Sequence, residues 1–209
     1  EKLILFFTAI FNFHCFVESL SLKAQLSRNA FIRDSSFISS VAAISLPLVF
    51  AQEGGDNDGD MVRYVEEDKR FAFDVPSSWN RNKAEISGRR EVIIWTSPKS
   101  ANVFLASTPI RADFNSLGSF GSVADVSAIL VPSGPGIEGK MIDYSSKGDF
   151  YYFDYTIKRE NQPEKHLETV WAIIPGSFLI TLTAQCDSTE YETFERQFRK
   201  TIGSFKKIS

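Results

Sequence analysis

An α+β domain, an antiparallel sheet covered by helices, is the fold this chain predicts. Three observations lead there. β-rich runs follow one another through short turns from Phe71 to Ile110 and again from Met141 to Gln185. Helical spacing is confined to the stretch after Ser122 and the stretch after Ser188. Strands and helices are therefore segregated, with no βαβ rhythm and no internal repeat.

Each element has its own signal. Phe71–Val75 (FAFDV) alternates as a strand and stops at Pro76, after which Ser77-Ser78-Trp79 reads as a turn bringing an indole to the core edge. Glu91–Thr96 and Asn102–Ile110 are two further strands joined by the turn residues 97–101. Ser122 is positioned to cap a helix carrying Val123, Val126, Ile129 and Leu130 on one face, which Pro132 ends. After the loop Ser133–Gly139 come strands at Met141–Ser146, Phe150–Lys158 and Leu167–Ile174. Pro175-Gly176 turns the chain into a last strand, Phe178–Gln185. From Ser188, Tyr191, Phe194, Phe198, Ile202 and Phe205 recur at helical spacing and predict a closing amphipathic helix. In the middle strand Tyr151, Phe153 and Tyr155 share one face, while Tyr152 and Asp154 point the other way.

The first fifty-one residues read as an address in three parts. Lys2 and the apolar run Leu3–Val17, broken by Glu18 and Ser19, form a secretory signal peptide over residues 1–19. Residues 20–34, with Lys23, Arg28 and Arg33 and one acidic side chain, have the composition of a plastid transit segment. Residues 35–51 are a second apolar run ending in Val49-Phe50-Ala51, a small-x-small site that makes Gln52 the mature amino terminus. Either run could instead be an anchor or a core helix, but the first is short for a bilayer and Pro47 opposes a helix in the second. Export in successive stages resembles targeting to the thylakoid lumen of a secondary plastid, and without an Arg-Arg pair before the second run a Sec-type route is expected.

The remaining 158 residues suit one domain, 62–209, behind a flexible acidic arm over 52–61. They hold 19 Lys plus Arg against 23 Asp plus Glu, a formal charge of −4 without a run of like charge, so nucleic acid is not the expected partner. Only Cys186 and His166 remain of the cysteines and histidines, which excludes an intramolecular disulfide and a Cys/His zinc centre in the mature part.

Few residues are left to carry chemistry. Asp56, Asp58, Asp60 and Glu67 sit at calcium-loop spacing, but Met61 stands where that loop needs Gly, so a solvated arm is the better reading. His166 opens one strand and Asp187 closes the next, twenty-one residues later. A hairpin would return both to one sheet rim, where they could share Mn²⁺ or Zn²⁺, or simply a hydrogen bond. A lone His beside a loop is more often just solvated. Cys186 could act as a nucleophile with His166 as base, although the adjacent Asp187 would raise the thiol pKa. Phosphate-binding loops and a Ser nucleophile elbow are absent, which leaves binding or scaffolding as the default role.

Tyr64, the run Phe71-Ala72-Phe73-Asp74-Val75-Pro76-Ser77-Ser78-Trp79, Asn102-Val103, Leu117-Gly118-Ser119-Phe120-Gly121, Phe150-Tyr151-Tyr152, Lys165-His166, Leu182-Thr183-Ala184-Gln185 and Ser204-Phe205 together resemble the PsbP family. The resemblance covers residues 62–207 and implies an α/β/α sandwich with a central antiparallel sheet, shared with the Mog-type Ran-binding proteins. It implies no enzyme. It implies a peripheral protein on the lumenal face of the thylakoid, an extrinsic accessory subunit or assembly factor related to the oxygen-evolving complex. Photosystem II lumenal subunits are the expected partners, with photosystem I as the alternative. It places the family's proposed metal ligands on His166 and Asp187, with Ca, Mn or Zn as the ion. The arm is short, acidic and Gly-rich where PsbP proper has a long one, so docking is expected here more than ion retention. The exposed charges Lys140, Lys147, Lys158 and Arg159 are the expected docking residues. A small lumenal enzyme using Cys186 or the His166/Asp187 pair, and a soluble metal carrier, are the competing readings.

Overall fold

The computed structural model describes residues 60–68, 70–86, 90–111, 113–174 and 178–208. The three-part leader, most of the acidic arm with Asp56 and Asp58, and the Pro175-Gly176 turn lie outside these residues. In chain order the elements are β1 (Met61–Val65), β2 (Phe71–Pro76), β3 (Asn80–Ile86), β4 (Arg90–Thr96) and β5 (Asn102–Pro109). A 3₁₀ turn (Leu117–Phe120), helix α1 (Val123–Leu130) and the short β6 (Ser133–Gly134) follow. The chain then runs through β7 (Ile137–Lys147), β8 (Phe150–Arg159), β9 (Lys165–Ile174) and β10 (Phe178–Asp187). A 3₁₀ turn (Ser188–Glu190), helix α2 (Tyr191–Gly203) and β11 (Lys206–Lys207) close it.

Eight strands form one antiparallel sheet in the order β3-β4-β5-β10-β9-β8-β7-β6, and β1-β2-β11 form a small second sheet. Strand alternation sends Ile93, Trp95, Leu105, Val170, Leu182 and Ala184 to one face, where they meet Phe71 and Phe73 of β2 and Phe194, Phe198 and Ile202 of α2. Fully burying each such side chain is worth about 1.5–3 kcal/mol, which is what holds α2 to the sheet. The opposite face carries Phe104, Phe153, Tyr155 and Trp171, all buried. The connection from β5 to β7 covers it, with Tyr151 donating its hydroxyl hydrogen to the Gly121 carbonyl at 2.9 Å. Helical cover on both faces of an antiparallel sheet is the predicted α+β sandwich.

Ser122 caps α1 through a capping box: its hydroxyl accepts from the Asp125 N–H at 3.2 Å, and the Asp125 carboxylate accepts from the Ser122 N–H at 2.9 Å. Several elements differ from expectation. β3 has no apolar alternation because it is the sheet edge, and Asn80, Arg81, Asn82 and Lys83 are exposed. β7 extends four residues before Met141. Phe205 is in the core but not in the helix, since Lys206 leaves the helical path to pair with Ala72 of β2. Met61–Val65 is an extended strand, so the Asp60 to Glu67 stretch cannot wrap a calcium ion as a twelve-residue loop would.

Candidate functional site

One face of β7, β8 and β9, together with α2, encloses a polar cleft of about 360 Å³ lined by Asp143, Ser145, Tyr152, Asp154, Glu168 and Arg199. Its residues come from alternation. The register Thr156↔His166 and Asp154↔Glu168 puts Asp154, His166 and Glu168 on one face of adjacent strands. His166 Nε2 lies 2.6 Å from Asp154 Oδ1, a diagonal cross-strand pair. The Tyr191 ring, at the first residue of α2, stacks on the imidazole at 3.5 Å. Its hydroxyl donates to Glu168 Oε1 at 2.6 Å.

The electrostatics follow from burial. Glu168 is only 8% exposed, and its carboxyl pKa is raised chiefly by desolvation, against the lowering effect of the Tyr191 hydrogen bond. The Tyr191 phenol is raised by its own burial and then by Glu168. The Cys186 thiol, buried between the sheet and α2, is pushed up to about 12 by burial and then by Asp187 and Glu190. A thiol held protonated is a poor nucleophile, and His166 is engaged with Asp154. The His166–Asp154 and Tyr191–Glu168 hydrogen bonds, joined by the stack of the two rings, instead latch the start of α2 to the sheet.

The expected His166/Asp187 pair is not brought together. Cys186 is the residue opposite His166, and Asp187 is opposite Lys165, so consecutive alternation sends the two side chains to opposite faces of the same sheet end. Asp187 Oδ1 accepts from Lys165 Nζ at 2.6 Å. Each supposed ligand thus has its own partner, and the pair does not fit a shared Ca²⁺, Mn²⁺ or Zn²⁺. Among the described residues, no group of three or more His, Cys, Asp and Glu is spaced to hold a metal ion.

The four expected docking residues also divide. Lys140 lies opposite Thr156, Lys147 opposite Phe150, and Lys158 opposite Glu138, which places the three lysines on the α2 side of the β7–β8 hairpin. All three are exposed and, among the described residues, form no ion pair. Arg159 falls on the other face, opposite Ile137, and is partly buried. Sequence reasoning missed Glu168, Tyr191 and Arg199. The available signal was the even-numbered polar series Asp154, His166 and Glu168 on two strands that otherwise carry mostly apolar residues.

A sequence profile of PsbP matches residues 59–207. The chain belongs to the PsbP family. Among relatives, PsbP domain-containing protein 3, chloroplastic, of Arabidopsis thaliana is 28% identical over 158 residues, 69% of this chain. The chain spans 64% of that relative's length. The solution structure of cyanobacterial PsbP (CyanoP) from Synechocystis sp. PCC 6803 superposes with a TM-score of 0.57 at 16% identity, covering 76% of this chain and 99% of the other, and shows the PsbP fold. The Ran-binding protein Mog1p of Saccharomyces cerevisiae matches more weakly, with a TM-score of 0.46 at 6% identity over 71% of this chain and 95% of its own.

Proposed function

We propose that this PsbP-family chain is a non-catalytic extrinsic accessory or assembly factor in the thylakoid lumen, peripheral on the membrane and docked on photosystem II. The observation that carries the reading is the row Lys140, Lys147 and Lys158, exposed, without an ion pair among the described residues and on one face of the β7–β8 hairpin. Such a row steers association with an acidic lumenal surface, and its pull weakens as salt shortens the Debye length to about 10 Å at 0.1 M. Family membership and the chloroplastic relative support a plastid setting. The leader read in residues 1–51 supports the lumen. No helix among the described residues is long and apolar enough to cross a membrane.

The test is gentle solubilisation of thylakoids from the organism that makes the chain, native gel separation and mass spectrometry of each band. Co-migration with photosystem II, lost in a Lys140→Glu/Lys147→Glu/Lys158→Glu variant and in high salt, is the expected result. Co-migration with photosystem I would reassign the host. Free migration at every salt concentration would sink the docking reading.

A further inference from the structure

β7 ends the large sheet almost alone. β6 pairs only with Ile137 and Glu138, so from Lys140 to Lys147 the outer edge of β7 has no strand beside it among the described residues. From Ile142 to Lys147 every residue is exposed, whichever face it points to. This stretch is also the place of a bulge, since Met141 pairs with Tyr155 and Asp143 with Asp154, leaving Ile142 without a partner on β8. Ile142 is 50% and Tyr144 44% exposed, large apolar side chains on an open strand. We infer that the outer edge of β7, Lys140–Lys147, receives an extended acidic segment of a partner protein as an added β-strand.

Three features select this occupant. First, an open edge offers unpaired N–H and C=O groups, the main-chain half of strand addition. Second, the local charge is basic. Lys140, Lys147 and Lys158 share one face; of the acids there, Asp149 at the hairpin tip bonds Lys207 at 3.0 Å, Asp154 bonds His166 and Glu168 bonds Tyr191, both at 2.6 Å, which leaves Asp143 and Glu138. The matching segment alternates acidic residues toward the lysines with apolar residues toward Tyr144. Third, a second copy satisfies fewer charges. Antiparallel self-pairing about Ser145 sets Lys147 opposite Asp143 but leaves Lys140 with no acid opposite it, whereas a strand with acids along one face meets Lys140 and Lys147 together.

The inference rests on the docking reading above and adds the partner's chemistry and its mode of attachment. The experiment is amide hydrogen exchange on the chain with a terminally blocked peptide of alternating valine and glutamate, paired with fluorescence anisotropy of the labelled peptide. Slowed exchange confined to residues 140–147, with binding at least about tenfold weaker in Lys140→Glu/Lys147→Glu, is expected. Unchanged exchange across β7 at the highest soluble peptide concentration overturns the inference. So does slowing that depends on protein concentration without peptide, which would make the occupant a second copy. No photosystem is present in this assay. Protection without retention on thylakoids sinks the photosystem reading alone, and salt-sensitive retention without protection sinks strand addition alone.

Discussion

The imidazole of His166 lies flat on the ring of Tyr191, with centroids 3.5 Å apart and planes 3° from parallel. The stack joins β9 to the first residue of α2, and beyond it the Tyr191 hydroxyl reaches the buried Glu168 at 2.6 Å. Tyr191→Phe keeps the ring and removes only that donor. It leaves a carboxylate without its hydrogen bond in a site 8% exposed, so unfolding in urea should show a loss of about 1–3 kcal/mol at neutral pH. Tyr191→Ala also loses the stack and should cost more.

Glu168 also gives stability a pH dependence of known sign. Burial raises its folded pKa above the ordinary 4.5, so its contribution is full below that value and is lost as pH rises through the folded pKa. Glu168→Gln still offers Oε1 to Tyr191 but cannot ionise. Relative to the parent, the variant should therefore gain stability as pH climbs from about 4 to 7. Asp74 acts in the opposite direction. The Arg63 guanidinium, bonded to it at 2.7 and 2.9 Å, lowers its pKa below 3.8, so its contribution is present above that value and lost as pH falls. Arg63→Ala should flatten the acid limb only slightly, because the pair is partly exposed and screened by solvent. Urea midpoints across the pH range separate the two effects.

Cys186 should be silent in the folded state. With its thiol near 12, the thiolate fraction at pH 8 is about one in ten thousand, and the side chain is 1% exposed. A disulfide reagent such as dithionitrobenzoate should label it only after denaturation. Stoichiometric labelling of the native chain within minutes would contradict the placement and reopen the thiol-enzyme reading.

What could be read without coordinates followed burial. Strands β2, β4, β5 and β7 to β10 were legible, as were α1 through Ser122 and α2 through its aromatic spacing, but β1 was not, although its Tyr64 packs on Phe73 and Trp95. β3 was not, because an edge strand with Asn80, Arg81, Asn82 and Lys83 facing water has no pattern to read. The site was half legible: His166 stood out as the one histidine after residue 51, but its partner, Asp154, is twelve residues away on the neighbouring strand. Choosing Asp187 placed the right sheet end and the wrong face. One residue of register separates the two, and register is a tertiary property. The lysine row suffered the same limit, since Lys158 and Arg159 are neighbours in sequence and point apart in the sheet.

Gly139 is where α1 meets β7, and there the backbone needs the absence of a side chain more than it needs conformational freedom. A Cβ on Gly139 would lie 2.1 Å from Val131 Cγ1 and 2.8 Å from the Pro132 carbonyl oxygen, both in the segment that leaves α1 for β6. The Val131 side chain can turn away, but the Pro132 carbonyl is backbone and must move with the chain. Gly139→Ala should therefore lower stability by about 1–3 kcal/mol as an overpacking change, read as a drop in Tm. The displacement would act on β6 and the first residues of β7, so amide exchange should quicken around residues 131–139 before it does in β9 or β10. Gly148 is the matched control. It closes the Lys147–Phe150 turn at a φ of 59°, and a Cβ there meets no atom within 4 Å. Gly148→Asn tolerates that backbone region and should leave Tm nearly unchanged. An unchanged Tm in Gly139→Ala would mean that the junction of α1 and β7 has room for a methyl group.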